Sequence, residues 1–220
     1  MITKLAANTF VSKNQFLNHI KTNCKTLNVD HLYGYMFHNY HSFKEQEVLY
    51  PELLKARDKK IINKAGISLY TNEEIEDILI NYSDFDFIQI PFNLFDNASK
   101  RKELLEYAKS KNIEVHTRSV FLQGLFFMQS KLLPEKLKSL KPYLEKLDVI
   151  KGRYNLTIET LALQYVLQKE YIEHVLIGVE TSEQLMNNIN ITLKKQKVPH
   201  DIIDSFDISE IELLNPSNWN

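Results

Sequence analysis

Glycine and cysteine are both scarce in this sequence of 220 residues. The five glycines do not form the glycine-rich turn that holds phosphate in P-loop and Rossmann proteins, so neither class is expected. The single cysteine, Cys24, excludes an intrachain disulfide and fits a reducing compartment. Its helical surroundings indicate a small buried side chain and not a nucleophile.

An excess of one charge and long apolar runs are also missing. The chain has 27 Lys and Arg against 28 Asp and Glu, a net charge of -1. Nucleic-acid binders concentrate positive charge on one face, so we expect no nucleic-acid partner. No apolar run approaches the ~20 residues that cross a membrane, and no apolar stretch follows the first charged residues. We therefore expect a soluble, cytoplasmic protein with no membrane partner.

Short apolar segments alternate with helical patterns along the chain. Strands are predicted at residues 2–5, 31–37, 65–69, 85–90, 113–117 and 174–179, and helices at 16–27, 50–61, 100–110, 134–147 and 158–168. Ser12 is expected to cap the first helix, and the pairs Thr71 with Glu74 and Thr181 with Gln184 to begin two more. This alternation indicates a parallel sheet covered by helices, either open or part of an eight-stranded barrel.

Six segments in a fixed order carry a resemblance to one family. They are TKL at 3–5, LNVDHLYGYMFH at 27–38, AGISLY at 65–70, FIQIPFN at 87–93, EVHTRSVFLQGL at 114–125 and LIGV at 176–179, the last followed by Glu183, Gln184, Leu185 and Asn188. Together they resemble the aldo/keto reductase family over nearly the whole chain. The resemblance implies an α/β, TIM-barrel-like fold that is incomplete, with about six parallel strands, in a single domain over residues 1–220.

The resemblance also implies a chemistry. Family members transfer hydride between a nicotinamide cofactor and a carbonyl or alcohol, without a metal, so we expect a small carbonyl or sugar-like substrate. Lys4 and His38 match the catalytic lysine and histidine. From the residues alone, Lys4 is more often an ordinary surface lysine, and His38 more often a capping or core histidine. The family's first two strands, which bring an aspartate and the acid tyrosine, have no counterpart in this sequence.

Eight further positions match cofactor-binding positions of the family. Ser68 and Gln89 would hold the nicotinamide carboxamide, although Gln89 is equally suited to a side-chain network inside a barrel. Arg118 would stack on the nicotinamide ring, and the others would contact the rest of the cofactor: Ser119, Gly178, Glu180, Gln184 and Asn188. Two departures are visible. Leu69 replaces an asparagine, and Glu180 stands where many members bind the 2′-phosphate, which favours NAD slightly over NADP.

Three hypotheses follow. The first is an aldo/keto reductase-like oxidoreductase that is weak or inactive as this isolated chain. The second is a degenerate, non-catalytic barrel that binds a ligand or partner. In the third, another acid such as Tyr40 replaces the lost tyrosine in a non-redox reaction. His116 lies within a predicted strand, so we interpret it as a structural residue. Because open sheet edges invite pairing, we expect the open side to be covered by the chain's own residues 126–171 or by a homo-oligomer.

Overall fold

The computed structural model describes residues 1–219 and contains one sheet of six parallel strands. The strands are β1 (Ile2–Leu5), β2 (Leu32–Phe37), β3 (Ile62–Ser68), β4 (Phe87–Pro91), β5 (Glu114–Arg118) and β6 (His174–Val175). Their order in the sheet is their order in the chain, and the sheet is not closed within the described residues. The α/β class and the six parallel strands are as predicted.

Nine α-helices accompany the strands among residues 1–219. They are α1 (Phe16–Thr26), α2 (Tyr40–Glu45), α3 (Tyr50–Asp58), α4 (Asn72–Asn81), α5 (Ala98–Ser110), α6 (Lys141–Tyr154), α7 (Ile158–Leu167), α8 (Ser182–Leu193) and α9 (His200–Asp204). The capping box of Thr71 and Glu74 at the start of α4 is present, as predicted. None of the helices described is both long enough and apolar enough to cross a membrane.

Three helical predictions need correction. Ser12 does not cap α1, which begins at Phe16, but precedes a short 3-10 turn and makes no capping bond. The predicted helix at 134–147 is two elements, a 3-10 helix at Glu135–Leu140 and then α6, because Pro142 suits the first turn of a new helix and not the interior of an old one. No helix was predicted between residues 38 and 49, where the structure has α2, capped by the side chain of Asn39.

The last predicted strand, 174–179, is also wrong in length. Only His174 and Val175 pair with the sheet, opposite His116 and Thr117 of β5. Beyond Arg118 the chain leaves the strand at Ser119, whose φ is +61°. The Leu176 N–H still donates to the backbone oxygen of Thr117, and residues 177–179, which lie beyond the end of β5, continue as irregular chain.

The chain divides into two compact units. The first comprises residues 1–90 and 106–115, and the second begins with residues 91–105 and continues from His116. The core of the first unit contains a cluster of aromatic rings around Phe43, which lies 4.9 Å from both Phe37 and Tyr82 between ring centroids. Rings of this size dominate the apolar area that a core removes from water.

The second unit has its own aromatic core and a buried asparagine that bonds to the backbone. Phe92 stacks on Tyr165 at 5.8 Å, and Phe95 contacts Phe206 edge to face at 5.8 Å. Asn97, fully buried, donates to the backbone oxygens of Ile203 (2.9 Å) and Phe206 (3.2 Å). These bonds tie the start of α5 to the segment around α9.

Candidate functional site

Three of the predicted site residues lie on strands β1, β3 and β4 of the first unit. The Nζ of Lys4 on β1 donates to the Oε1 of Gln89 on β4 at 2.8 Å. Ser68 is the register partner of Gln89, and both are almost fully buried. The Nε2 of Gln89 donates to none of the residues described, so its amide keeps donors for another partner.

His38 is exposed and directly follows β2. In the parallel register, Lys4 pairs with Met36 and Leu5 with Phe37, so Lys4 and His38 belong to the same, C-terminal end of two adjacent strands. Carboxyl ends of parallel strands are where barrel and open-sheet enzymes place reactive groups.

A strained loop follows β5 in the second unit. Ser119, Leu122 and Gln123 have φ values of +61°, +43° and +51°, and Gly124 has +85°. The first three have side chains, for which this region is unfavourable, and such strain concentrates where a loop is shaped for binding. Asn93 fixes the loop by donating from Nδ2 to the backbone oxygen of Ser119 at 3.2 Å.

This loop forms one wall of a cavity of about 740 Å³ in the second unit. The other walls are the chain after β6 and the first two turns of α8. Five of the eight predicted cofactor-binding residues line it, namely Ser119, Gly178, Glu180, Gln184 and Asn188. Arg118, which precedes Ser119, directs its Nη1 to within 3.4 Å of the Ser119 hydroxyl. The volume lies in the usual range for small-molecule sites.

The N-terminal end of α8 faces the cavity with its cap formed. The Thr181 hydroxyl accepts from the backbone N–H of Gln184 at 3.2 Å, as predicted. The side-chain oxygen of Gln184 accepts from the backbone N–H of Glu180 at 2.8 Å, which commits that oxygen to the helix start. Asn188 is buried in the cavity wall, and its side chain makes no hydrogen bond to the residues described.

The charge of the cavity is negative. Among residues 1–219, those that line it include the carboxylates of Glu159 and Glu180 and no lysine or arginine. The remaining polar groups are uncharged amides and a hydroxyl. A phosphate placed directly beside either carboxylate would meet repulsion, whereas a hydroxyl group there would find an acceptor.

Tyr40, the alternative acid, is held elsewhere. Its hydroxyl donates to Oδ2 of Asp77 at 2.9 Å, and burial together with this hydrogen bond raises the pKa of Tyr40. A raised pKa makes the phenol a weaker acid at neutral pH. The geometry gives the third hypothesis no support.

Several cavity residues were not foreseen. The loop contributes Val120, Phe121, Gln123, Gly124 and Phe127, and Glu159 and Asn187 come from α7 and α8. The loop lies within or directly after the segment EVHTRSVFLQGL, so the resemblance alone located most of it. Glu159 had no signal in the sequence beyond its place in the first turn of a predicted helix.

Comparisons with known proteins bear on the family and the fold of the chain. The model of the Aldo/keto reductase family matches residues 2–208. The chain is 26% identical over 124 residues to the NADH-specific methylglyoxal reductase of Escherichia coli (strain K12), a match that spans 50% of this chain and only 38% of that protein.

Solved structures share the fold. Gox0644 in its apo form has a TM-score of 0.73 at 15% identity, with 96% of this chain and 71% of that chain covered. The aldo-keto reductase AKR11C1 from Bacillus halodurans, in its holo form, has a TM-score of 0.68 at 19% identity, with 95% and 73% covered. Since the family match extends over residues 2–208, the chain belongs to the aldo/keto reductase family.

Proposed function

We propose that the cavity of the second unit binds a nicotinamide dinucleotide, NAD or NADP, and that the chain is an oxidoreductase acting on a small carbonyl or sugar-like compound. The observation that carries the proposal is the cavity itself. Its walls bring together five residues that resemble cofactor-binding positions of the family, although they are spread from residue 119 to residue 188. When bound, the cofactor supplies or accepts the hydride.

The polar groups of the cavity suit such a ligand. The first turn of α8, a helix of 12 residues, offers backbone N–H groups and the positive end of the helix dipole to a pyrophosphate. The buried side chain of Asn188 can both donate to and accept from a heterocyclic base. Ser119 and Gly178 would contact the cofactor from the opposite walls.

The charge of the cavity favours NAD. The carboxylate of Glu180 can accept a hydrogen bond from a ribose hydroxyl but would repel a 2′-phosphate. Glu159 adds a second carboxylate to the lining. The Escherichia coli relative is NADH-specific by name, which supports the same preference.

Carbonyl chemistry is proposed for Lys4 and His38 of the first unit. The imidazole of His38 would orient and polarise the carbonyl oxygen, and the ammonium of Lys4 would stabilise developing negative charge. The segment that carries the acid tyrosine in the family has no counterpart in this sequence, and general acid catalysis typically contributes about 10²–10⁴-fold. We therefore propose slow turnover by the isolated chain.

The second candidate, a cofactor-binding barrel without redox activity, is favoured by the bond between Lys4 and Gln89, which stabilises the ammonium without a tyrosine.

The apolar face of α8 supports a homo-oligomer. Leu185, Ile189 and Leu193 follow one another at helical spacing, with Met186 beside them, and all four are exposed. A net charge of -1 gives two copies little electrostatic reason to repel each other. We propose that a second copy of the chain covers this face.

Titration of the purified chain with NADH and NADPH, followed by nicotinamide fluorescence, tests the cofactor proposal. We expect saturable binding with NADH preferred, and we expect Glu180→Arg to narrow or reverse the preference because it replaces repulsion of the 2′-phosphate with attraction. Glu183→Arg is the matched control, since Glu183 lies only three residues further along, in the first turn of α8, and is exposed but does not line the cavity. Failure of both cofactors to bind, or equal effects of the two substitutions, would contradict the proposal.

A further inference from the structure

Two histidines face each other across the last pair of strands in the second unit. His116 on β5 and His174 on β6 are register partners. Their ring centroids are 4.6 Å apart with the planes at 84°, and their ring nitrogens lie within 4.8 Å of one another. His116 is buried, whereas His174 is exposed and leaves the pair open to solvent.

We propose that His116 and His174 form a binding site for a divalent transition-metal ion of the kind that prefers imidazole, such as Zn²⁺, Ni²⁺ or Cu²⁺. Imidazole nitrogens bind Zn²⁺ at about 2.0–2.1 Å, so two such ligands of one ion lie roughly 3.3 Å apart. One nitrogen of each ring lies within 4.8 Å of the other at present, and His174, which is exposed, is the ring that would move to bring the two nitrogens to that value. Water completes the coordination shell, and the imidazole pair disfavours Mg²⁺ and Ca²⁺, which prefer oxygen ligands.

The position of the pair gives the ion a structural consequence. β6 is held to β5 by only two register pairs, and the Leu176 N–H then donates to the backbone oxygen of Thr117 at 2.7 Å. Residues 176–180 continue directly into the wall of the cavity described above. An ion that bridges the two histidines would hold β6 against β5, and local unfolding of the chain that forms this wall would become less frequent.

Calorimetric titration of tag-free, chelator-treated protein with ZnCl₂ and with NiCl₂ tests the proposal. We expect one ion per chain at about pH 7.5, where the neutral form of imidazole is available to bind a metal. His174→Gln should weaken binding at least about tenfold, the lower end of the loss seen when even an outer partner of a metal site is removed. His174 is chosen because it is exposed, so the variant keeps the core intact.

Two further measurements separate this site from incidental binding. His31→Gln removes another exposed histidine and should leave the affinity unchanged. The electron paramagnetic resonance spectrum of the Cu²⁺-loaded chain should show coupling to two imidazole nitrogens, and Zn²⁺ should slow hydrogen exchange at the Leu176 amide. No binding up to about millimolar Zn²⁺, or equal affinity of His174→Gln and the wild type, would overturn the proposal.

Discussion

Phe87 of β4 shows how one residue decides which neighbours a strand accepts. Its ring is fully buried and lies over two glycines of adjacent strands, Gly34 on β2 and Gly66 on β3. A Cβ on Gly66 would lie 2.3 Å from Cζ of Phe87, closer than atoms of side chains approach. Glycine is therefore needed at this position for space, because the φ there is one that any residue can adopt.

Gly66→Ala should consequently destabilise the fold. Overpacking of a filled core typically costs about 1–3 kcal/mol, and here the clash is with a fully buried ring. Urea denaturation followed by circular dichroism measures the loss. Gly152→Ala is the matched control: a Cβ there meets nothing within 4 Å, and in the interior of α6 the change should stabilise slightly. Equal stabilities of the Gly66 variant and the wild type would show that Phe87 moves aside.

Helix α9 shows how an element is held by a charged cluster on its neighbour. Lys169, just after α7, places Nζ 3.2 Å from Oδ2 of Asp204. The other carboxylate oxygen of Asp204, Oδ1, accepts from the hydroxyl of Tyr165. His200 lies with its ring 5.4 Å from the Tyr165 ring, and its Nε2 is 3.0 Å from Oε1 of Gln168. The Nδ1 of His200 is buried and has no hydrogen-bond partner among the residues described.

This environment predicts a pH dependence of stability. Burial, and then the charge of Lys169, lower the pKa of His200 from 6.5, while Asp204 and Asp201 oppose the shift. The unfolded chain therefore binds the proton more readily than the folded one, so stability is lost as pH falls below 6.5 towards the folded-state pKa. The drop in the midpoint of thermal unfolding between about pH 7.5 and about pH 5.5 should be smaller for His200→Gln than for the wild type. The exposed His31→Gln should keep the wild-type difference, and an unchanged pH dependence of the His200 variant would contradict the prediction.

Elements were predictable where local signals agreed. The first five strands lie within three residues of their predicted bounds, and the capping box of Thr71 and Glu74 sets the start of α4. Predicted bounds are wrong where the end of an element depends on its neighbours in the fold. The ladder of β6 ends after Val175, close to the point where the chain of β5 turns away at Ser119, and the positive φ of this serine has no signal in the sequence. The break before α6 could have been predicted from Pro142.

At the scale of the whole molecule, the family and fold followed from six segments in order, but the site followed only in part. Five of the proposed cofactor residues meet in one cavity, and Lys4 with Gln89 form a direct contact. The strained loop at 119–124 and the carboxylate of Glu159 could not be inferred, because loop geometry depends on tertiary contacts such as that from Asn93.

The exposed apolar stripe on α8 leads to a prediction about assembly. Leu193 is 76% exposed and Met186 56%, values that leave apolar area in water unless another surface covers it. We expect the wild type to sediment as a dimer or higher oligomer. The double substitution Leu185→Gln and Leu193→Gln should shift it to the monomer, because both side chains are exposed and their removal weakens the contact without opening the core.

Light scattering coupled to size-exclusion chromatography, over a range of concentrations, distinguishes the outcomes. Ile80→Gln is the control, since Ile80 on α4 is a comparably exposed apolar side chain outside the stripe. It should leave the oligomeric state unchanged. If the wild type is monomeric at about ten micromolar or higher, or if the control dissociates the oligomer as well as the double variant does, the α8 stripe is not the contact. Retained oligomers in the double variant would place the interface elsewhere, and the homo-oligomer would then need a different surface to cover its apolar area.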